Sequence, residues 1–316
     1  MSTDPIQDLN ARFAIADHVS FVAGVGGFPL VAVSNAHARA TIALQGATVV
    51  DFQPHSQDQD SQDQDTQTPV LWLSRHAVYA PGKAIRGGIP LCWPWFGPHP
   101  TDPTKPDHGF ARTRPWAALG TSVTQDGATT VRLGLSDDDE TRALWPHAFA
   151  LELAVTVGPT LRLALVARNT GPDPFACSSA LHSYFKVGDV TAIAIRGLEG
   201  GAYVDKVDGG RSKVQQGPVT IDGETDRVYT GTTATCSIDD PRLRRRITIA
   251  KEGSRSTVVW NPWRDKARRM ADVGDDDYQG MVCVEVANAL DDTVTVAPGD
   301  EHRLQTTIGA ETASGL

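Results

Sequence analysis

The run Phe149-Ala-Leu-Glu-Leu-Ala-Val-Thr-Val-Gly-Pro-Thr-Leu-Arg-Leu-Ala-Leu-Val-Ala-Arg168 decides the fold. Phe149, Leu151, Leu153, Val155 and Val157 recur at every second position, and in an extended chain such positions share one face. Residues 161–168 alternate again. Gly158-Pro159 between the two runs is turn chemistry, so they read as antiparallel strands joined by a tight turn. Outward from this hairpin, strands are predicted at 129–135, 192–196, 234–238, 243–250, 256–260, 281–286, 293–296 and 302–308. Upstream, 21–33 and 39–52 hold short alternations broken by glycines, and 70–73 reads as a buried strand. Helix is scarce. Ser136-Asp-Asp-Asp-Glu140, a capping serine followed by acids, predicts one short helix that ends before Pro146, and the N-terminal residues are expected to fray. Many short strands, close turn signals and no fixed repeat predict an all-β fold, a large antiparallel sandwich with few short helices.

A chain of 316 residues is long enough for two domains, but large β sandwiches use such a length as one unit, and no linker interrupts it. A single domain over 1–316 is expected, with a mobile surface loop at 56–68, where Gln-Asp pairs repeat without an apolar residue. The net charge of −9 argues against nucleic acid and anionic membranes as general partners. An anionic ligand must therefore be met by a local group of cations. The first residues lack a basic stretch followed by an apolar run, and no stretch approaches the ~20 apolar residues of a membrane span, so a cytosolic setting is expected. Cys92, Cys177, Cys236 and Cys283 are far apart with no Cys-x-x-Cys pair, which reads as reduced, buried thiols.

The segment 83–114 departs from strand vocabulary. It runs Lys83-Ala-Ile-Arg-Gly-Gly-Ile-Pro-Leu-Cys-Trp-Pro-Trp-Phe-Gly97, a Pro-rich connection, then Asp107-His-Gly-Phe-Ala-Arg-Thr-Arg114. Its prolines and glycines exclude an ordinary strand or helix, yet it is rich in aromatic, histidine and cationic side chains. Irregular segments of that composition, held by a rigid scaffold, are where ligands are met.

Five short words carry a resemblance when taken in order: Ile85-Arg86-Gly-Gly-Ile-Pro90, His108-Gly-Phe-Ala-Arg112, Leu181-His182-Ser-Tyr-Phe185, Glu224-Thr-Asp226-Arg-Val-Tyr229 and Val284-Glu285-Val-Ala-Asn288. Together they resemble the aldose 1-epimerase superfamily, and within it the hexose-6-phosphate mutarotases, also called glucose-6-phosphate 1-epimerases. The resemblance implies a β-supersandwich that binds a sugar on its concave face. It implies His182 as general acid, Glu285 as general base, and Arg86, Asp107, His108, Arg112 and Asp226 as substrate-binding positions. Asp107 stands where relatives often carry Gln; a carboxylate accepts from a sugar hydroxyl but cannot donate to it, which leaves its role open.

Anomer interconversion gives these assignments a chemical reason. A base takes the C1 hydroxyl proton, an acid protonates the ring oxygen, the ring opens, and closure on the other face exchanges the roles. A carboxylate and an imidazole on opposite sides of the sugar are expected to do this without metal or organic cofactor. Read from the residues alone, Glu285 between two valines is either a structural ion pair or a base of raised pKa. His182 is either a satisfied core residue or the acid, and Asp226 either a solvated turn carboxylate or a ligand group. Arg86 and Arg112 suggest a phosphate clamp in an acidic protein, with Lys83 and Arg114 as further cations. Trp93, Trp95, Phe96 and Phe110 either face a pyranose or pack the loops, and Trp260-Asn-Pro-Trp263 is a family word without an assigned role.

The leading expectation is an isomerase that equilibrates the anomers of hexose 6-phosphates, acting as a monomer on a small sugar phosphate. A mutarotase of free aldoses and a non-catalytic carbohydrate-binding protein are the alternatives. Metal hydrolysis is disfavoured, since His108 and His182 are not at helical ligand spacing.

Overall fold

The computed structural model describes residues 4–55 and 68–313, so the 56–68 loop expected from the sequence lies, Thr68 apart, outside the described residues. Phe149–Val157 and Leu161–Asn169 form the predicted hairpin, paired from Phe149 with Asn169 to Val157 with Leu161. Phe149, Leu151, Leu153, Val155 and Val157 are buried, and the residues between them are partly exposed. Each such side chain contributes about 1.5–3 kcal/mol when taken from water, which fixes the register of the pair.

Around this hairpin an eight-stranded antiparallel sheet runs in the order Ala194–Arg196, Cys236–Asp240, Arg245–Glu252, Glu301–Thr312, Leu161–Asn169, Phe149–Val157, Thr129–Ser136, Ala117–Val123. A second eight-stranded sheet runs Arg211–Val214, Ala202–Asp205, Thr225–Tyr229, Ser256–Asn261, Met281–Asn288, Ser179–Leu181, Leu91–Cys92, with Tyr184–Lys186 also on Met281–Asn288. A four-stranded meander, Val19–Ala23 to Thr48–Pro54, and the pair Phe175–Cys177 with Val294–Val296 complete the strands of the described residues. One apolar cluster draws on both large sheets and the meander, through residues such as Phe21, Ile42, Val155, Leu165, Val284 and Ile308. This is the antiparallel sandwich that the alternation predicts.

The second sheet positions the site through Met281–Asn288, a strand buried along its whole length. Val282, Val284 and Val286 enter the main core, whereas Met281 and Cys283 face a separate cluster with Trp72, Tyr184 and Trp260. Odd-numbered residues of this strand therefore leave the core. Glu285 goes with them.

Three expectations need correction. The helix after residue 136 spans Asp139–Leu144, but its cap is Asp138, not Ser136. Asp138 accepts from the Thr141 N–H at 2.7 Å while its own N–H donates to Thr141 Oγ1 at 2.8 Å, a reciprocal box that Ser136, still in the preceding strand, is too far away to make. Val70, Leu71 and Trp72 are buried and Leu73 half-buried, but they form isolated bridges, Leu71 with Phe185 and Leu73 with Gly87, the latter one of two consecutive glycines at positive φ. From Asp4 onward the chain is regular, where fraying was expected: Pro5–Phe13 is a helix capped by Asp4, with Ile6, Leu9 and Phe13 packed on the core. Asn10 clips it to the first strand, donating to Phe21 O at 2.7 Å and accepting from Phe21 N–H at 2.8 Å. The helix Trp263–Ala267 was not anticipated either. Among the described residues no helix is long and apolar enough to cross a membrane, and all four cysteines are buried.

The 83–114 segment is folded on itself by close backbone contact. At Gly109, φ is +71° and a Cβ would sit 2.0 Å from Trp93 O, the carbonyl that accepts from the Phe110 and Ala111 N–H groups. Gly109→Ala is expected to lower unfolding free energy by at least about 2 kcal/mol, measured by urea denaturation. An unchanged midpoint would show that the contact is readily relieved.

Candidate active site

Strand register alone brings the distant sequence words together. Leu181 pairs with Val286 and Tyr184 with Cys283, so the same register places His182 opposite Glu285. In the neighbouring strands Glu285 lies beside Val258, Cys283 beside Trp260, and Trp260 beside Asp226. With a side-chain period of two, His182 and Tyr184, Cys283 and Glu285, Trp260, and Asp226 project from one face.

His182 and Glu285 form the floor, 6% and 1% exposed. His182 Nε2 lies 3.4 Å from Glu285 Oε1. The expectation of an acid and a base on opposite sides of a sugar does not describe this arrangement, because no ring fits between atoms so close. Burial raises the Glu285 carboxyl well above its ordinary range, with the Asp226 charge adding to the effect against Lys206 and Arg112. Burial likewise holds the His182 pKa well below its ordinary range, helped by Arg112 and Arg86. Both shifts favour the uncharged forms, the carboxyl and the neutral imidazole. His182 Nδ1 and Glu285 Oε2 are buried without a hydrogen-bond partner, as is Arg112 Nε.

His182 is held on one face and from the side. Tyr184 stacks on it at 4.7 Å and 9°, and Trp260 meets it edge-on at 6.1 Å. Tyr184 is in turn fixed by Arg86, whose Nη1 donates to its hydroxyl at 2.9 Å while Nε donates to Asp272 at 3.0 Å. Arg86 thus arrives at the site with two of its donor nitrogens engaged. His108, at φ +64°, accepts a 3.3 Å hydrogen bond at Nδ1 from the Gly97 N–H. Burial and three nearby cations hold it well below its ordinary pKa, so it is neutral and carries its proton on Nε2, free to donate. Its ring lies 5.7 Å from that of His182. Arg112 Nη2 donates to the Asp107 carbonyl at 2.8 Å; Asp107 itself is exposed.

Asp226 is not a turn residue. It lies in the strand Thr225–Tyr229, its side chain 21% exposed, with its carboxyl raised by burial and Lys206 Nζ 3.8 Å from Oδ1. Of the four aromatics in 93–110, Trp93 and Phe110 belong to the core and Trp95 donates to Pro106 O at 2.8 Å. Phe96 alone among them reaches the site, 5.0 Å from the His108 ring. Arg114 is turned outward in an ion pair with Glu140. The Trp260-Asn-Pro-Trp263 word is divided: Trp260 walls the site, and Asn261 donates to Tyr278 O and Met281 O. His182, Cys283 and Glu285 bring donor atoms within 4.8 Å of one another. Burial keeps the Cys283 thiol and the Glu285 carboxyl protonated, so this set would have to lose protons before holding a cation.

Sequence reasoning missed Lys206, Tyr184 and Asp272. The His182-Ser-Tyr184 spacing places Tyr184 on the histidine's face and could have revealed it. Lys206 and Asp272 carry no such local signal.

Residues 29–309 match the family model described as aldose 1-epimerase. A Salmonella typhimurium protein called "Putative glucose-6-phosphate 1-epimerase" is 37% identical over 261 residues, 82% of this chain and 83% of that one. A protein of the same name from Cenchrus ciliaris is 37% identical over 254 residues, 78% of this chain and 76% of its own. The crystal structure of "a putative mutarotase (YeaD)" from Salmonella typhimurium superposes with a TM-score of 0.84 at 32% identity, covering 98% of this chain and 100% of that one.

The buried carboxyl makes a prediction about stability. Above the ordinary value of 4.5 the unfolded chain releases the Glu285 proton while the folded chain keeps it, so this residue costs stability as pH rises. Gln cannot ionise. The difference in melting temperature between Glu285→Gln and the unsubstituted protein is therefore expected to move in favour of the variant from pH 4.5 to 8; a pH-independent difference would mean that the carboxyl ionises freely in the fold. His182 acts in the opposite sense, its contribution being lost as pH falls below 6.5.

Proposed function

The chain belongs to the aldose 1-epimerase family, and from that premise we propose that it is an isomerase interconverting the α and β anomers of hexose 6-phosphates, glucose 6-phosphate first. The observation that carries the reading is the contact between His182 and Glu285, each with a buried polar atom left without a partner. A purely structural pair leaves no reason for two such orphans, whereas a sugar hydroxyl and ring oxygen would satisfy them.

The closeness of the pair suits the reaction. The two oxygens that exchange protons are both bonded to C1, so acid and base must stand side by side. In the working form Glu285 is a carboxylate and His182 an imidazolium, which together hold the same number of protons as the neutral pair. Glu285 takes the C1 hydroxyl proton, and the electrons of that O–H bond become the carbonyl π bond. The C1–O5 bond breaks, and its pair takes the His182 proton. The open-chain aldehyde then sits over a neutral carboxyl and a neutral imidazole, the forms that burial favours. Rotation about C1–C2 presents the other face of the carbonyl. His182 removes the O5 proton as O5 attacks C1, and Glu285 returns its proton to O1.

The rest of the cluster supports recognition in this reading. His108 donates from Nε2 to a sugar oxygen, Asp226 accepts from a hydroxyl, and Trp260 offers an apolar face. Arg112 and Arg86 supply positive charge for the phosphate, and Asp107 borders the entrance. The proposal includes action as a single chain in a reducing compartment, in keeping with four buried thiols.

The reaction is tested by starting from one pure anomer of glucose 6-phosphate, or of glucose, and following its approach to anomeric equilibrium by NMR. Acceleration for glucose alone would remove the phosphate from the reading, and acceleration for neither would favour a binding protein. His182→Asn and Glu285→Gln are each expected to lower kcat by roughly 10²–10⁴-fold with the fold retained. Near-normal turnover in either variant defeats the assigned pair. The pH profile of kcat should be bell-shaped, with the acid limb below the ordinary histidine value and the alkaline limb above the ordinary glutamate value, because burial moves His182 down and Glu285 up.

A further inference from the structure

The three cations at this site are not equivalent. Arg86 spends Nε on Asp272 and Nη1 on the Tyr184 hydroxyl. Arg112 spends Nη2 on the Asp107 carbonyl and keeps a buried, unpartnered Nε. Lys206 is the third, and among the described residues its ammonium makes no hydrogen bond. It lies 3.8 Å from Asp226 Oδ1 and 5.0 Å over the Phe96 ring. All three N–H donors remain for a ligand.

Its position is set by backbone. The Lys206 N–H donates to Asp226 O at 2.9 Å, directly after the strand Ala202–Asp205, so the side chain starts from the edge of the site. Side-chain exposure rises from 1% at Glu285 and 8% at His182 to 21% at Asp226 and 35% at Lys206. From floor to mouth the rings of His182, His108 and Phe96 follow one another at 5.7 and 5.0 Å, and Lys206 caps the last of them.

We propose that Lys206 is a phosphate-binding residue that, with Arg112, holds the 6-phosphate of the substrate. This rests on the hexose 6-phosphate reading. The covalent structure of the substrate favours the arrangement, since C6 is bonded to C5, the carbon that carries the ring oxygen. A phosphate on C6 therefore falls on the side of the group that protonates O5, toward His108, Phe96 and Lys206. A phosphate monoester of roughly −1.5 to −2 charges, entering a chain of net charge −9, needs more than one uncommitted cation. Arg112 and Lys206 supply two. Asp226 keeps the ammonium in place at a distance too long for a hydrogen bond, and so does not consume its donors.

The test uses 1,5-anhydroglucitol 6-phosphate, which lacks the C1 hydroxyl and cannot open, and its unphosphorylated parent, both titrated calorimetrically into the full chain. Lys206→Met is expected to weaken the phosphorylated analogue at least about tenfold and the parent less than about twofold, with Lys206→Arg recovering most of the loss. In kinetics with glucose 6-phosphate the loss should fall on KM, not kcat. Equal weakening of both analogues would overturn the assignment and make Lys206 a prop for Asp226. If the unsubstituted chain binds the phosphorylated analogue in a Lys206-dependent way yet accelerates no anomerisation, the Lys206 assignment stands and the enzymatic reading falls.

Discussion

The register of Met281–Asn288 is the constraint on which the rest depends. Val282, Val284 and Val286 are anchored in the main core, and a strand has only two faces. Burying the valines obliges Cys283 and Glu285 to point the other way. A slip of one residue would carry Glu285 into the core and three valines into the site, at the cost of an unpaired carboxyl among apolar side chains. The packing of ordinary aliphatic residues thus places the carboxyl, and the same ladder places His182 opposite it. The geometry of the pair is a by-product of core packing, which makes it rigid.

Around that pair the chain separates two tasks. The floor is built from regular strands whose burial moves a carboxyl up and an imidazole down. The entrance is built from the irregular 83–114 segment and the ends of short strands, where side chains are partly exposed. Gly88 shows how closely the segment is packed: its carbonyl accepts from the Tyr184 N–H at 2.9 Å, and a Cβ there would lie 2.1 Å from Val49 O in the meander. The side chains at the entrance are therefore carried on backbone pressed against strands, which limits their motion without requiring them to be regular. Arg86 links the levels, since it belongs to the irregular segment but holds Tyr184, the ring on which His182 rests.

Much of this was legible in the sequence, for identifiable reasons. Phe149–Val157 buries every second residue, so its alternation is strict and its boundaries could be read. The strands Ser179–Leu181, Tyr184–Lys186 and Ala202–Asp205 are three or four residues long, too short for a period to emerge, and they went unrecognised. The site words were visible because they hold chemically costly residues in apolar settings. Their mutual placement was not, because it is set by cross-strand pairing between positions about a hundred residues apart. Arg86 looked like a free cation since Asp272, its partner, is 186 positions away. Lys206 escaped notice since Val-Asp-Lys-Val resembles any solvated strand end.

The clip between Asn10 and Phe21 has an effect beyond fastening a helix. Phe21 lies on Val19–Ala23, the outermost strand of the meander, and such a margin displays backbone groups that invite another chain to add itself. The Asn10 amide gives and receives one bond there, as a neighbouring peptide group would. A side chain thereby impersonates the missing strand. The seat that an intruding copy would take is filled from within, and the sheet stops where the protein needs it to stop.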